Sequence, residues 1–207
     1  VKDLLITLAV VAVWGFNFVV IRIMFGHMPP VLMVAMRYVL VALPLLPFVK
    51  RPSIRMRWVA LYGLMLGTVH QGLLFIGMKA GMNAGLSSLV LQTQAFFTLI
   101  LAVLFLRERP KLAQVIGLLF AAVGLYLIAT ATEQAGNLAA FGLVLLSAAT
   151  WAVATLISRH GILQAKGKVD PLSFMVWASL FPPIPTLILS AILEGPASWV
   201  QAWAHLD

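Results

Sequence analysis

Long uninterrupted runs of apolar residues dominate this sequence, and short polar segments separate them. Seven such runs cover roughly residues 4–25, 31–49, 58–78, 86–106, 112–129, 138–158 and 172–193. A helix of about 20 apolar residues, rising about 1.5 Å per residue, crosses the hydrocarbon core of a bilayer. The runs are continuous rather than alternating, which excludes the strands of a membrane β-barrel. The pattern therefore predicts an all-α membrane protein with seven transmembrane helices.

Composition agrees with a protein that lipid surrounds. Apolar residues make up 62% of the 207 residues and charged residues only 10%, too few to cover the surface of a soluble domain. The chain has no cysteine, which excludes disulfides, thiolate metal sites and cysteine nucleophiles. We expect no cofactor and no metal. The net charge of +8 does not indicate a nucleic-acid partner, because loop topology explains it.

Positive charges concentrate in alternate connections between the apolar runs. Eleven of the fourteen Lys and Arg residues fall on one side: Lys2, Lys50, Arg51, Arg55, Arg57, Arg107, Arg109, Lys111, Arg159, Lys166 and Lys168. The positive-inside rule places that side, with the N-terminus, in the cytoplasm. We expect the protein to lie in a bacterial inner membrane. The first run is longer than the apolar region of a signal peptide, so we predict a retained first span.

Two parts of the chain resemble each other. The WGFN segment at 14–17 has a counterpart in WAVA at 151–154, and the second span begins at Pro30 as the seventh begins at Pro171. The match pairs span 1 with span 6 and span 2 with span 7, so the repeat unit has five spans and its two copies run in opposite orientations. We assign residues 1–136 to the first repeat and 137–207 to two helices of an incomplete second repeat.

Several motifs resemble those of one transporter family. They are WGFNFVVIR at 14–22, PP at 29–30, AMRY at 35–38, AGLSSLVLQTQAFFTLILA at 84–102 and ER at 108–109. The chain thereby resembles the EamA family of the drug/metabolite transporter superfamily, and most of all its exporters of O-acetylserine and cysteine-pathway metabolites. The resemblance implies ten spans in two inverted five-span repeats around a central cavity, and export by alternating access. Seven spans are fewer than that pattern has, so we expect a truncated chain.

One cation lies deep in an apolar run. Arg37 is about seven residues into the second span, and no carboxylate occurs within any span to pair with it. An ionised side chain at the centre of a membrane helix costs about 2.5–3.5 kcal/mol on insertion scales, so it usually faces a cavity or a partner. We predict that Arg37 binds a substrate carboxylate. The alternative is that it snorkels to the outer headgroups, as we expect for Arg22 and Lys79.

Neutral amides within the spans are candidate ligands for a zwitterion. Asn17, Gln71 and Gln94 can bind amino and carboxyl groups without carrying a charge, although such amides also join helices to one another. Gln92 and Gln94 are about 200° apart on a helix and cannot face one cavity. Gln94 shares a face with Ser87, so we choose it as the lining residue and expect Gln92 to pack against a neighbour.

The remaining candidates are aromatic. His70 titrates near neutral pH and is therefore a candidate proton relay. It shares its face with Gly63 and Gly67, a small-residue stripe that favours a packed, hydrogen-bonded histidine instead. We predict that Trp14 and Trp151 line the substrate site from opposite sides, with plain packing as the alternative. Proton coupling, if present, would use His70 or a group in the spans that the chain lacks.

Other classes of membrane protein fit less well. The GLSSL segment lacks the G-x-S-x-G spacing of a serine hydrolase, and no H-E-x-x-H metal motif occurs, so we predict no enzyme. A retinal protein would need a lysine in the last span, which has none. A fragment or a helper protein without transport activity stays open. The expected partners are a zwitterionic or carboxylate-bearing metabolite and membrane lipid, with a homodimer left open.

Overall fold

The computed structural model describes residues 2–24, 28–107, 109–131, 138–165 and 167–204. Glu108 of the ER motif and the predicted repeat boundary at 136–137 lie outside these ranges. The described residues fold into helices and connections without strands. The α-helices are α1 (Lys2–Met24), α2 (Pro30–Leu45), α3 (Met56–Gly63), α4 (Gln71–Lys79), α5 (Ala84–Leu91), α6 (Gln94–Leu106), α7 (Leu112–Ala131), α8 (Leu138–Leu163), α9 (Pro171–Ala178), α10 (Pro183–Leu193) and α11 (Pro196–Ala204).

Several of these helices join end to end into longer apolar segments. A 3₁₀ turn at Leu46–Phe48 extends α2, and a π-helix at Leu64–His70 joins α3 to α4. Five segments of the described chain are long and apolar enough to cross a membrane: Pro30–Phe48, Met56–Lys79, Ala84–Leu106, Leu138–Leu163 and Pro171–Leu193. The predicted all-α membrane protein is confirmed. The count of seven spans stays a prediction, because the apolar stretches Leu4–Asn17 and Leu112–Leu127 are shorter.

Proline determines where several helices begin and where one is interrupted. Pro30 and Pro171 stand in the first turn of α2 and α9, where the missing N–H would have no helical partner in any case. Between α9 and α10 the backbone turns at residues 179–182, next to Pro182 and Pro183. A proline ring clashes with the preceding turn and cannot donate a helical hydrogen bond, which explains the break in this span.

The helix α8 is the centre of the bundle. It packs against α3, the π-helix, α4, α5 and α6, and its buried positions include Ala140, Val144, Ala148 and Ala152. Small side chains on this face let the neighbouring backbones approach closely. A similar close approach joins α3 to α9, where Gly63 lies against the backbone of Ala178 and a Cβ would have no room.

Polar contacts join the helix ends in two separate groups. The connection after α2 contacts the one before α9, where the Ser53 hydroxyl donates to the Lys168 carbonyl at 3.2 Å. At the opposite end, Glu194 accepts hydrogen bonds from the first turn of α2. We call the first group the inner end and the second the outer end, after the side that the charge pattern predicts for each. Within each group, the contacting residues belong to ends that the charge pattern places on the same side of the membrane.

Candidate substrate cavity

A cavity of about 510 Å³ lies among the helices near their midpoints. Residues of α1, α2, α3, the π-helix, α4, α5, α8, α9 and the turn between α9 and α10 line it. Trp151, for example, lies near the middle of the segment Leu138–Leu163, and Arg37 near the middle of Pro30–Phe48. The volume is within the range of small-molecule pockets, roughly 300–1,000 Å³. A site near the bilayer midplane, beside an interrupted helix, is the usual arrangement in secondary transporters.

The structure brings most of the predicted site residues together. Six of the seven candidates line this cavity, from helices far apart in sequence: Trp14, Asn17, Arg37, His70, Gln71 and Trp151. The geometry therefore places them around one space that a small molecule can occupy. Their role in substrate binding stays a prediction.

The seventh candidate, Gln94, is not among the residues that line the cavity. Its side-chain oxygen accepts a hydrogen bond from Thr98 Oγ1 at 3.3 Å. Gln94 shares a face with Ser87 only if the helix is continuous, but α5 ends at Leu91 and α6 begins at Gln94. A turn at Gln92 and Thr93 changes the angular relation across the break. Gln92, expected to pack against a neighbour, instead lines a second cavity of about 600 Å³ beside α1.

Arg37 contributes the positive charge of the cavity. Its side chain is exposed, and its guanidinium carbon lies 5.6 Å from the ring centroid of Tyr38, which also lines the cavity. Within the described ranges no carboxylate pairs with Arg37. The residue thus faces a hollow rather than a partner supplied by the chain. Lys79, by contrast, lies at the end of α4 and is not among the residues that line the cavity. The Arg22 side chain lies outside the described part of the structure.

His70 is buried and held by Ser147 of α8. Its Nδ1 lies 2.8 Å from Ser147 Oγ and 3.0 Å from the Ser147 carbonyl oxygen. The Ser147 hydroxyl also donates to the His70 carbonyl at 2.8 Å. Because the Ser147 hydroxyl proton already bonds to the His70 carbonyl, we assign the proton to Nδ1, which then donates to the Ser147 carbonyl oxygen. His70 also ends the π-helix, a form often found at functional sites. His70 is thus packed and hydrogen-bonded, as its small-residue face predicts, while its role in proton coupling stays a prediction.

Aromatic rings form one side of the cavity. Trp14 and Trp151 meet edge to face with centroids 5.3 Å apart, and the His70 ring lies 5.1 Å from that of Trp151. The two tryptophans are thus in contact and not on opposite sides of an open space. Their rings extend the apolar wall, and ring faces also attract cations such as an ammonium group.

Some lining residues were not predicted from the sequence. Tyr62, Met175 and Ser179 join the cavity, and the Tyr62 hydroxyl donates to the Met175 sulfur at 3.5 Å. Tyr38, the tyrosine of the AMRY segment, also lines the cavity, although the sequence pattern did not predict it as a ligand. Residues on the α9–α10 break could have been found from its prolines, because an interrupted span often adjoins a transport site.

The sequence is similar to that of known transporters. Residues 2–130 match the EamA-like transporter family. The chain is 38% identical, over its full length, to the "Probable amino-acid metabolite efflux pump" of Salmonella typhimurium (strain LT2) and covers 69% of that protein. It is 35% identical to the protein of the same name from Escherichia coli (strain K12), again over the full chain and 69% of the relative.

A more distant relative is the "Uncharacterized inner membrane transporter YedA" of Escherichia coli (strain K12). It is 29% identical over 70% of this chain and 49% of its own length. No solved structure matches the chain.

The apolar helices, the cavity among them and these similarities together indicate a membrane transporter. The chain belongs to the EamA-like transporter family, which matches well over half of its length. With the inner-membrane relative, this identifies a multi-pass inner-membrane protein, and it indicates a transporter rather than an enzyme. The inverted repeat and the division at 136–137 stay predictions.

Proposed function

We propose that this protein exports small zwitterionic, amino-acid-like metabolites, of the O-acetylserine and cysteine class, by alternating access. Two relatives that match the full chain are each named "Probable amino-acid metabolite efflux pump", which supports this choice of substrate. By the charge pattern, the N-terminus is cytoplasmic and the metabolite leaves toward the outer end. Membrane lipid surrounds the bundle.

The observation that carries the proposal is the environment of Arg37. A guanidinium in a membrane segment is costly unless an anion or water meets it, and this one faces the cavity without a carboxylate partner in the described chain. A substrate carboxylate would complete the pair, in the forked geometry that guanidinium and carboxylate share. Asn17 and Gln71 add amide groups for polar parts of the metabolite.

The rest of a zwitterion also finds suitable surroundings. An ammonium group can lie over an aromatic face, and Tyr38, Tyr62, Trp14 and Trp151 all reach the cavity. The carboxylate-free wall avoids a permanent anion that would hold a cationic group too tightly for release. A compact metabolite with one carboxylate and one ammonium group thus fits the chemistry of the lining.

Replacement of Arg37 by Gln tests the proposal. Everted membrane vesicles turn export into uptake, so the uptake of radiolabelled O-acetylserine reports transport. We expect Arg37→Gln to reduce uptake about tenfold or more, because hydrogen bonds to charged groups are worth about 1.5–3 kcal/mol. Protein amount and melting temperature should stay near those of the parent.

Lys79→Gln is the matched control, since it removes an exposed outer cation that does not line the cavity. It should leave uptake unchanged. For an analogue of O-acetylserine in which an amide replaces the carboxylate, the uptake by the parent and by Arg37→Gln should differ much less. Equal uptake by parent and Arg37→Gln at equal expression would contradict the substrate role of Arg37. Purified parent protein that fails to move O-acetylserine into liposomes would favour a fragment or helper without transport activity.

The driving force has its own test. Uptake is compared in vesicles with and without a pH gradient, the membrane potential being held constant. Coupling to protons predicts greater accumulation with the gradient. Equal accumulation would remove proton coupling and with it any relay through His70.

A further inference from the structure

A single carboxylate joins the outer ends of two membrane segments. Glu194, at the end of α10, accepts the backbone N–H of Val31 at 2.8 Å through Oε1 and that of Leu32 at 3.1 Å through Oε2. Ser190 Oγ donates to Oε2 at 2.6 Å, and Trp199 Nε1 donates to Ser190 Oγ at 3.0 Å. The carboxylate is therefore held from its own helix while it binds the start of another.

The first turn of α2 needs such a partner. The first N–H groups of a helix have no acceptor within the helix, and a side chain just before the helix usually supplies one. Here that position is Pro29, which makes no side-chain capping bond. Glu194 supplies the acceptor from 163 residues away, and its negative charge also suits the positive end of the helix dipole.

The inner ends of the same two segments are arranged differently. A cavity of about 420 Å³ lies between the connection after α2 and the start of α9. Lys50, Arg51 and Lys168 line it together with Asp170, so three cations and one carboxylate share this space. The contact between Ser53 Oγ and the Lys168 carbonyl spans the two connections through one neutral hydrogen bond.

We propose that Glu194 is a positioning residue for transport: its carboxylate holds the outer ends of α2 and α10 together and must release α2 when the cavity opens outward. The proposal rests on the proposed transport function, because the two segments it joins carry Arg37 on one side and Met175 and Ser179 on the other. Parting their outer ends widens the path from the cavity to the outer surface. In the present structure the carboxylate is bound to α2, so these two outer ends are held together.

Cysteine accessibility tests this inference directly, because the protein has no cysteine of its own. A single Ser179→Cys substitution places a thiol in the cavity. Spheroplasts are treated with a membrane-impermeant maleimide, and the rate of labelling reports outer access. We expect Glu194→Ala to raise this rate about tenfold, since it removes two charge-assisted bonds across the helices. Glu194→Gln keeps one acceptor and should give a smaller rise.

Asp170→Ala is the matched control. Asp170 caps α9, but its acceptor bonds stay within one segment, so its loss should leave the outer labelling rate unchanged. A permeant maleimide first confirms that the thiol reacts equally in all variants. Labelling of Glu194→Ala at the parent rate, in folded protein, would overturn the proposal. Should that variant fail to accumulate, Glu194→Gln decides by the same criterion.

The measurement needs no substrate and so is separate from the transport assay. Faster outer labelling in the Glu194 variants supports the positioning role of Glu194 even if the parent protein exports nothing. In that case only the proposed function fails. Normal export by the parent together with unchanged labelling in Glu194→Ala would leave the proposed function intact and contradict the positioning role of Glu194.

Discussion

The N-termini of α2 and α9 solve one problem in two ways. Both helices begin with proline, after Pro29 in the first case and after Asp170 in the second. Asp170 caps its own helix, accepting from Ser173 N at 2.9 Å and from Ser173 Oγ at 2.7 Å. The α2 terminus instead receives the carboxylate of Glu194 from another helix.

The difference determines what each cap can do. A cap from within the segment stabilises one helix and imposes nothing on its neighbours. A cap from another segment makes the end of one helix depend on the position of the other. The outer ends of α2 and α10 are therefore linked, while at the inner side a cavity lies between the connection after α2 and the start of α9. A transporter that opens to alternate sides needs contacts that can break at one end of the bundle while the other end stays closed.

The largest expected effect is the loss of stability in Glu194→Ala. Removal of the carboxylate leaves the N–H groups of Val31 and Leu32 and the Ser190 hydroxyl without their acceptor. We expect a loss of about 2 kcal/mol, because hydrogen bonds to charged groups are worth about 1.5–3 kcal/mol. Thermal unfolding of the purified protein in detergent measures it. A melting temperature equal to that of the parent would mean that water or another group replaces the carboxylate.

A second variant gives α2 the kind of cap that α9 has. Pro29 has the extended backbone of a capping residue, with φ −57° and ψ 128°, so Pro29→Asp can present a carboxylate to the same N–H groups. In the Glu194→Ala background we expect this change to restore roughly 1 kcal/mol of stability. Outer labelling of the Ser179→Cys thiol should nevertheless stay fast, because a local cap does not join two helices. Recovery of the slow parent rate would show that capping alone, and not the link between helices, governs access.

Ser190→Ala tests the support of the link. The Ser190 hydroxyl orients the Glu194 carboxylate and accepts from Trp199 Nε1. Its removal should cost about 1 kcal/mol and raise outer labelling by less than Glu194→Ala does. A rise equal to that of Glu194→Ala would mean that Glu194 cannot hold its position alone.

The smallest effect is expected at Asp170. Hydrogen bonds from the Ser173 hydroxyl and N–H hold the pKa of the Asp170 carboxyl below its usual value. A carboxyl group with a lowered folded-state pKa adds stability above its unfolded pKa, and that stability disappears as the pH falls through the folded value. Asp170→Ala should lower the melting temperature slightly at neutral pH and not at all in acid below the folded pKa. A difference that persists unchanged in acid would contradict this origin.

The fold class could be predicted because it depends on local properties of the chain. Runs of apolar residues long enough for a bilayer are visible in the sequence, and backbone hydrogen bonding in lipid leaves the helix as the solution for them. The candidate residues could be predicted from the free-energy cost of placing polar groups in lipid. Arg37 and the amides carry such a cost, so we expected them to face a shared cavity. Gln94 was misplaced because helix periodicity was continued through the turn at Gln92 and Thr93, a break that no proline or glycine marks.

The sequence by itself determined that this protein is a helical bundle in a membrane and which of its polar side chains lipid would not tolerate. Only the tertiary structure decided which of these side chains meet, that Ser147 holds His70, and that Glu194 caps a helix beginning 164 residues earlier at Pro30. Burial costs act residue by residue and can be read along the chain. Hydrogen bonds between segments depend on the relative position of packed helices, which no local pattern encodes.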